Sequence, residues 1–504
     1  MDYEKTVSNE MILNYHLMHP GGESAPGDPN VAFCIDGVYH LHYILKHPWH
    51  GDESATRQRA GEFAKDSFSF IHITSTDMLH WKWKPTKLQP SFTGHGMFSG
   101  TGLLTKEGVP AAVYCGVCTP PNSFIAIAKD NNLSEWEKPY PLIVENGLVE
   151  NEKSLLMDPD CFLIGDTYYA FSAKELLLCK STNLKEWHLV GPLLKHSMPD
   201  VAIGEDLSCA NFFPLGNKWV LLCISHTIGC RYYIGHWDSN AEQFVPESHG
   251  RMNWRRAGQS LLSPMYRDFF APESLLTEDG RRVMWAWLAT THPLTDKLTI
   301  QSLPRELTIR KDGSLGVSPL RELTSLRYDP INFHDVKLSP DQNAKGNHAL
   351  THITDLPGDS LEISINIPRA EVERKRFGFQ LFAGKDTDGL LILFKPEEES
   401  ISLGETEVPF TVSQLPQGEN LEINIFVDKY LVEIFINGVQ AALTVFMDYK
   451  GGKELRGYTF GQSLANLDWF GAITIKQITI WKLKPTNQGF LSAMKNRNWQ
   501  PETK

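Results

Sequence analysis

Positive charge is in short supply in this chain: 48 Lys and Arg stand against 60 Asp and Glu, for a formal net charge of −12. Nucleic acid binding needs concentrated Lys and Arg, so an acidic chain without basic clusters is not expected to take nucleic acid as a partner. Long hydrophobic runs are missing too. None approaches the roughly 20 residues of a membrane-spanning helix, and no membrane partner is expected. The opening MDYEKTVSNEMILNYHLMHP has neither a basic n-region nor an apolar h-region, so no signal peptide is read there and the cytoplasm is the expected location. Cysteine is absent after Cys230. All eight cysteines lie between Cys34 and Cys230, most in apolar runs such as WVLLCIS, and read as buried thiols of a reducing compartment. Cys115 and Cys118 form a C-x-x-C without the second pair that a zinc site needs, so they read as core and no metal is expected.

Aromatic residues, by contrast, reach 11%, including 13 Trp, which suits β-rich architecture and flat surfaces on which sugars stack. Five apolar strands recur in the first 290 residues: VYHLHYIL from Val38, VPAAVYCG from Val109, DTYYAFSA from Asp166, NKWVLLCIS from Asn217 and RRVMWAWL from Arg281. Between them lie TSTDMLHW ending at Trp81, AKDNNLSEW ending at Trp136 and CKSTNLKEW ending at Trp187, with a degenerate copy at residues 232–247. Short strands repeating every 50–70 residues without helical stretches between them predict the blades of a five-bladed β-propeller. The polar segments would be hairpin turns, and each Trp would cover its blade. A β-sandwich with coincidental spacing is the competing reading.

After SLPRELTIRKDGSLGVSPLRELTSLR, residues 302–327, the character changes. Runs such as SLEISINI, GLLILFK and NLEINIFVDKYLVEIFING alternate like the strands of an all-β sandwich. The expected organisation is therefore a propeller over 1–325, a linker at 326–334, a C-terminal β-sandwich over 335–484 and a tail at 485–504.

A propeller gathers the entries of its strands around one axial funnel, so acids at equivalent entries can converge there. Asp28 precedes the first strand, Asp158 the third, Glu205 and Asp206 the fourth, and Asp268 and Glu273 the fifth. Each alone fits an ordinary turn. Together they fit glycoside hydrolysis, in which one carboxylate attacks or holds the anomeric carbon and another protonates the leaving oxygen. His40 and His42 share a strand face and read as packing or sugar-bonding residues rather than metal ligands. Trp49 fits a stacking wall for a sugar or an ordinary packed Trp, and Cys209 reads as packing.

At these residues the chain resembles the invertase, inulinase and levanase family, glycoside hydrolase family 32. The family's W-M-N-D-P-N-G corresponds to Ala25–Val31, its F-S-G-S to Phe98–Thr101, its R-D-P to Met157–Pro159, its E-C-P-D-L-F-P-L to EDLSCANFFPL, and its L-P-R-E-L to SLPREL. RDFFAPESLLTEDGRRVMWAWL and FVDKYLVEIFING follow further family motifs, so the resemblance spans residues 12 to about 482. It implies a propeller followed by a sandwich, with no organic cofactor and no metal. Asp28 would be the nucleophile, Asp158 the transition-state stabiliser and Glu205 the general acid/base of a retaining β-fructofuranosidase. Asn30, Trp49, Phe98, Ser99, Asp268 and Glu273 would surround the sugar.

The chain departs from the family pattern in several places. Gly27 replaces Asn, Val31 replaces Gly, and Met157 replaces Arg. Ser208 precedes Cys209 where the family has Glu, and Glu205 lies three residues earlier, which leaves Asp206 and Glu273 as alternative acids. The expected partner is sucrose, a fructooligosaccharide or a fructan. Alternatives are a fructosyltransferase, including one that makes cyclic products, a catalytically silent fructoside-binding protein, and an arabinan- or xylan-cleaving propeller enzyme.

Overall fold

The computed structural model describes residues 11–19, 27–48, 66–84, 88, 97–116, 122–145, 158–173, 176–198, 201, 206–254, 268–289, 298–340, 348–373, 375–447, 451–460 and 471–487. Trp49, Cys118, Met157, Glu205 and the last residues of the expected tail lie outside the described residues.

Five small, mainly antiparallel sheets follow one another along the first part of the chain, the third extended by Val144–Glu145, which pairs parallel to Trp187–Pro192. Their strands are Pro29–Ile35, Val38–Pro48, Asp66–Ser75 and Lys82–Lys84; Met97–Leu104, Pro110–Gly116, Asn122–Ile127 and Tyr140–Pro141; Asp160–Ile164, Thr167–Phe171, Leu177–Ser181 and Trp187–Pro192; Ser208–Leu215, Lys218–Ser225, Gly229–Asp238 and Gln243–Arg251; and Phe270–Leu276, Arg282–Trp287, Arg305–Ile309 and Leu315–Pro319. The first strand of each sheet touches the first strand of the next, and that of the last sheet touches Pro29–Ile35, so the inner strands close a ring. Radially arranged sheets about one axis make a β-propeller, and the sandwich reading of this region fails. Sheets covered on both faces carry continuous apolar strands rather than alternating ones. Pro110–Gly116 is buried at every position for that reason.

The recurring apolar strands of the sequence are the second strand of each sheet, not the innermost one. The innermost strands escaped the repeat because Asn30, Ser99, Asp160, Asn211 and Glu273 interrupt their apolar character. The Trp-terminated segments are hairpin turns between third and fourth strands, as their composition predicts. In each, an acid or amide folds back on the backbone: Asp77 Oδ1 accepts from Leu79 N (2.9 Å), Asp130 Oδ1 from Asn132 N (2.9 Å), Asn183 Oδ1 from Lys185 N (2.9 Å) and Asp238 Oδ1 from Asn240 N (3.1 Å). Trp81 and Trp187 are buried behind these turns.

The 3-10 turn Arg321–Leu326 buries Leu323 and Leu326 in the propeller's core and leads directly into the second domain. The stretch expected to be a linker is instead part of the strand Arg327–Leu338, which pairs with Ile473–Leu483 from Arg327 opposite Leu483 onward. Its alternation is masked because this strand is largely exposed. Two six-stranded sheets form a sandwich around Ile363, Ile365, Phe379, Ile392, Ile423, Ile434 and their neighbours. A second apolar cluster joins the domains, for Phe426, Tyr430, Leu431 and Phe435 pack with propeller residues such as Phe269 and Leu303.

Candidate active site

Four of the five inner strands carry a β-bulge near the start, between Asn30 and Phe33, Phe98 and Gly100, Ser208 and Asn211, and Phe270 and Pro272. Val31, Cys209 and Ala271 sit at these bulges in the left-handed region, with φ of 43°, 45° and 47°. In the remaining sheet Asp158, two residues ahead of its strand, has φ 47°. A bulge re-aims side chains and breaks pairing, and non-glycine residues held at positive φ mark places where packing overrides local preference. All of these distortions fall at one end of the ring.

Of the predicted residues, Asp28, Asn30, Phe98, Ser99 and Asp158 lie at that end, while Trp49 and Glu205 lie outside the described residues. Asp28 is buried just ahead of Pro29, and its carbonyl accepts from Ile44 N at 3.0 Å and from Asn30 Nδ2 at 2.7 Å. Asn30 Oδ1 accepts from Gly100 N at 2.8 Å, tying the first sheet to the second. A Cβ at Gly100 would collide with the carbonyl oxygen of Val113, so this position of the Phe-Ser-Gly motif has no room for a side chain. Gly27 is similarly confined, because a Cβ there would meet the side chain of Thr299, and its carbonyl accepts from Gln301 Nε2 at 2.6 Å. The missing Asn of the family pattern is thus replaced by close backbone packing.

Cys209 occupies the middle. Its thiol lies 3.2 Å from Ser99 Oγ and 4.0 Å from Asp158 Oδ2. Burial pushes the thiol well above its usual pKa, and the charges of Asp158, Asp28 and Asp206 push it further. One group from the fourth sheet therefore senses carboxylates from the first and third sheets together. Phe98 is half-buried, edge-on to Phe68 with ring centroids 4.6 Å apart, and Ser99 and Asp268 are buried.

The alternative acids have different surroundings. Burial alone would raise Asp206, but hydrogen bonds from His226 Nδ1 and His226 N (2.8 Å) outweigh it and hold the carboxyl far below its usual range. Ser208 and Ser225 hydroxyls add contacts at 3.3 Å. Such a group stays ionised and is unsuited to donating a proton. Glu273 is 2% exposed, and burial first, then the charge of Asp160, raises its pKa well above normal. It takes part in an axial network: Asn211 Nδ2 lies 3.5 Å away, Asn211 bonds Ser274, and Phe212 N donates to Asp160 Oδ2 at 2.6 Å. Burial raises Asp160 to about 7 against the pull of those bonds. Arg282 is the cation of this network, its guanidinium over the Phe213 ring at 4.2 Å and lowered to about 10 by burial. Sequence reasoning missed His226, Asp160 and Arg282; only the second Asp of Asp-Pro-Asp hinted at any of them.

Among the described residues, no three His, Cys, Asp or Glu side chains are grouped to hold a metal ion. No helix among them is long and apolar enough to cross a membrane. The seven described cysteines are free thiols.

Residues 23–319 match the model of the glycosyl hydrolases family 32 N-terminal domain, and residues 322–482 match that of the family 32 C-terminal domain. A raffinose invertase of Escherichia coli is 26% identical over 475 residues, covering 85% of this chain and 88% of the relative. A sucrose-6-phosphate hydrolase of Vibrio alginolyticus is 24% identical over 501 residues, covering 90% and 91%. Among solved structures, fructan 1-exohydrolase IIa from Cichorium intybus superposes with a TM-score of 0.70 at 18% identity, over 95% of this chain and 98% of that one.

Proposed function

The chain belongs to glycosyl hydrolase family 32, and on that premise we propose that it is a β-fructofuranosidase, releasing terminal fructosyl groups from sucrose, fructooligosaccharides or fructans with retention at C2. Relatives named raffinose invertase and sucrose-6-phosphate hydrolase support the fructosyl substrate. The observation that supports the reading is that Asp28, at the entry to the first inner strand, and Asp158, 4.0 Å from the Cys209 thiol at the entry to the fourth inner strand, both stand at the bulged end of the ring.

In this reading the Asp28 carboxylate attacks C2 of the β-fructofuranosyl group. The bond from C2 to the leaving oxygen breaks, and that oxygen takes its electron pair and a proton from Glu205. Water then loses a proton to Glu205 and attacks C2, which frees fructose and restores Asp28. Retention calls for about 5–5.5 Å between the two carboxyls. Asp158 accepts from sugar hydroxyls and strengthens its hold as positive charge develops on the ring. We assign the acid role to Glu205; that His226 holds Asp206 ionised supports it over its neighbour, and Glu273 is engaged with Asn211 in the axial network. Trp49, Phe98, Ser99 and Asp268 surround the sugar, while Asn30 and Glu273 shape the site through the backbone and the axial network.

Digestion of sucrose, inulin and levan in water and in aqueous methanol, with product identification, tests this. Free fructose and methyl β-fructofuranoside are expected. Longer or cyclic fructans without free fructose would instead establish a transferase, and binding without turnover a silent protein.

A further inference from the structure

The innermost strands of the ring belong to separate sheets, and among the described residues no ladder pairs one of them with the next. What joins them is a belt of buried polar side chains. Asn30 Oδ1 accepts from Gly100 N at 2.8 Å, first strand to second. The Thr101 hydroxyl bonds the Asp160 carboxylate, second to third, and Asp160 Oδ2 accepts from Phe212 N at 2.6 Å, third to fourth. Asn211 Oδ1 accepts from the Ser274 hydroxyl, and its Nδ2 lies 3.5 Å from Glu273, fourth to fifth. Ala32 N donates to the Glu273 carboxyl and closes the circle, fifth to first.

The chemistry of each link fits its residue type. At Asn30 the amide works both ways, since Nδ2 donates to the Asp28 carbonyl at 2.7 Å while Oδ1 accepts. Asp160, 1% exposed, only accepts: Oδ2 takes Phe212 N, and Oδ1 takes Cys161 N at 2.9 Å. An amide there would turn an NH2 group toward one of those two N–H groups. The three donors and the charge of Arg282 favour the ionised carboxylate against its burial, and a charged acceptor makes the shorter and stronger bond.

Asp160 also stands at the joint that Asp158 uses. Asp158, two residues earlier, is held at φ 47° ahead of Pro159, although a proline pushes its predecessor toward extended backbone. Across the same joint Cys209 precedes Phe212 by three residues, is itself at φ 45°, and meets Asp158 Oδ2 at 4.0 Å. The Asp160–Phe212 bond and the Asp158–Cys209 contact therefore connect the same two segments. With no ladder between them, the first sets the spacing of the second.

We propose that Asp160 is a positioning residue: by fixing the third inner strand against the fourth, it holds the Asp158 carboxylate where positive charge develops on the fructosyl ring. The assignment rests on the β-fructofuranosidase reading. Stabilisation of developing charge depends on geometry set in advance, whereas binding of the neutral sugar is spread over many contacts and depends on it less.

Kinetics of the full chain on sucrose, with the variants Asp160→Asn and Thr101→Val, test this, together with inhibition by fructose and by a cationic pyrrolidine analogue of fructofuranose. The cation reports the hold on developing charge, and fructose reports ground-state binding. Asp160→Asn is expected to lower kcat about tenfold or more and to weaken the pyrrolidine by a similar factor, with KM and fructose inhibition changed about twofold or less. Thr101→Val loses one donor at nearly the same shape. It should move kcat and pyrrolidine inhibition in the same sense by about threefold, and it decides the outcome should Asp160→Asn not fold. Equal weakening of fructose and pyrrolidine, or kcat within about twofold of the parent in the folded variants, overturns the proposal. A parent that releases no fructose from any fructoside refutes the β-fructofuranosidase reading and the proposal with it, a failure distinct from an active parent whose variants match it.

Discussion

Ser99 and Cys209, 110 residues apart in the chain, meet hydroxyl to thiol at 3.2 Å. The contact spans from the second sheet to the fourth and lies beside Asp158. Because burial and the carboxylates around it keep this thiol protonated, Cys209 is expected to resist alkylation by iodoacetamide at pH 7 in the native protein. Asp158→Asn removes one of those charges and should speed the alkylation. Equal rates in the two proteins, read by mass spectrometry, would place the carboxylate elsewhere.

Asp28→Ala and Asp158→Asn should each lower kcat by about three orders of magnitude or more. Thermal unfolding of each variant separates a loss of catalysis from a loss of folding. Activity of Asp28→Ala at the parental level in a sucrose assay removes it from the mechanism.

The pH dependence separates Glu205 from its neighbour. The acid of the first step must be protonated, and Asp206 is not protonated in the working range because His226 holds it ionised. Asp206→Asn should therefore leave the alkaline limb of kcat/KM in place, even if it lowers the plateau. Glu205→Gln should abolish that limb, with partial recovery on substrates whose leaving group needs no proton. Loss of the limb in Asp206→Asn is the outcome that sinks the assignment.

Val31 sits at φ 43°, fully buried. A β-branched residue there is strained by about 1–3 kcal/mol, and its burial contributes about 1.5–3 kcal/mol in return. Val31→Gly relieves the first and loses the second, so stability should change by about 1 kcal/mol or less. Val31→Ala loses burial but keeps strain, and should be the less stable of the two, inverting the usual order of Ala over Gly. Urea unfolding of the three proteins gives the ranking.

His16 connects the N-terminal segment to the sandwich. Its Nδ1 lies 2.9 Å from Asp428 and its Nε2 3.1 Å from Glu433, which Arg305 also binds at 2.6 Å, and all four groups are buried. Burial pulls the imidazole pKa down, but the hydrogen bonds and charges of Asp428 and Glu433 override it and raise it to about 9. A folded pKa above the unfolded value stabilises fully below about 6.5, and that contribution fades as pH rises through about 9. The span is on the order of 3 kcal/mol. Thermal unfolding at the two ends of this range should show the loss in the parent, and a smaller one in His16→Ala, which starts less stable.

Much of the fold was legible because second strands and hairpin turns are shaped by local rules. Apolar runs such as Pro110–Gly116 and turns closed by Asp77, Asp130 or Asn183 carry their signal within about ten residues. The innermost strands were not legible as strands, since bulges and polar groups break their periodicity exactly where several sheets meet. The linker was misread for a related reason: Arg327–Leu338 is a strand only because Ile473–Leu483 pairs with it.

By itself, then, the amino-acid sequence determined a propeller followed by a sandwich, the family, and the candidacy of Asp28 and Asp158, because strand pattern, turn chemistry and motif order are properties of neighbouring residues. Tertiary structure alone decided that the Cys209 thiol lies against Ser99 and Asp158, that Asp206 is bound by His226 and that Glu273 is buried beside Asn211. Those outcomes depend on which groups the ring brings within a few ångströms and on how far it excludes water from them, and neither is written in any short stretch of chain.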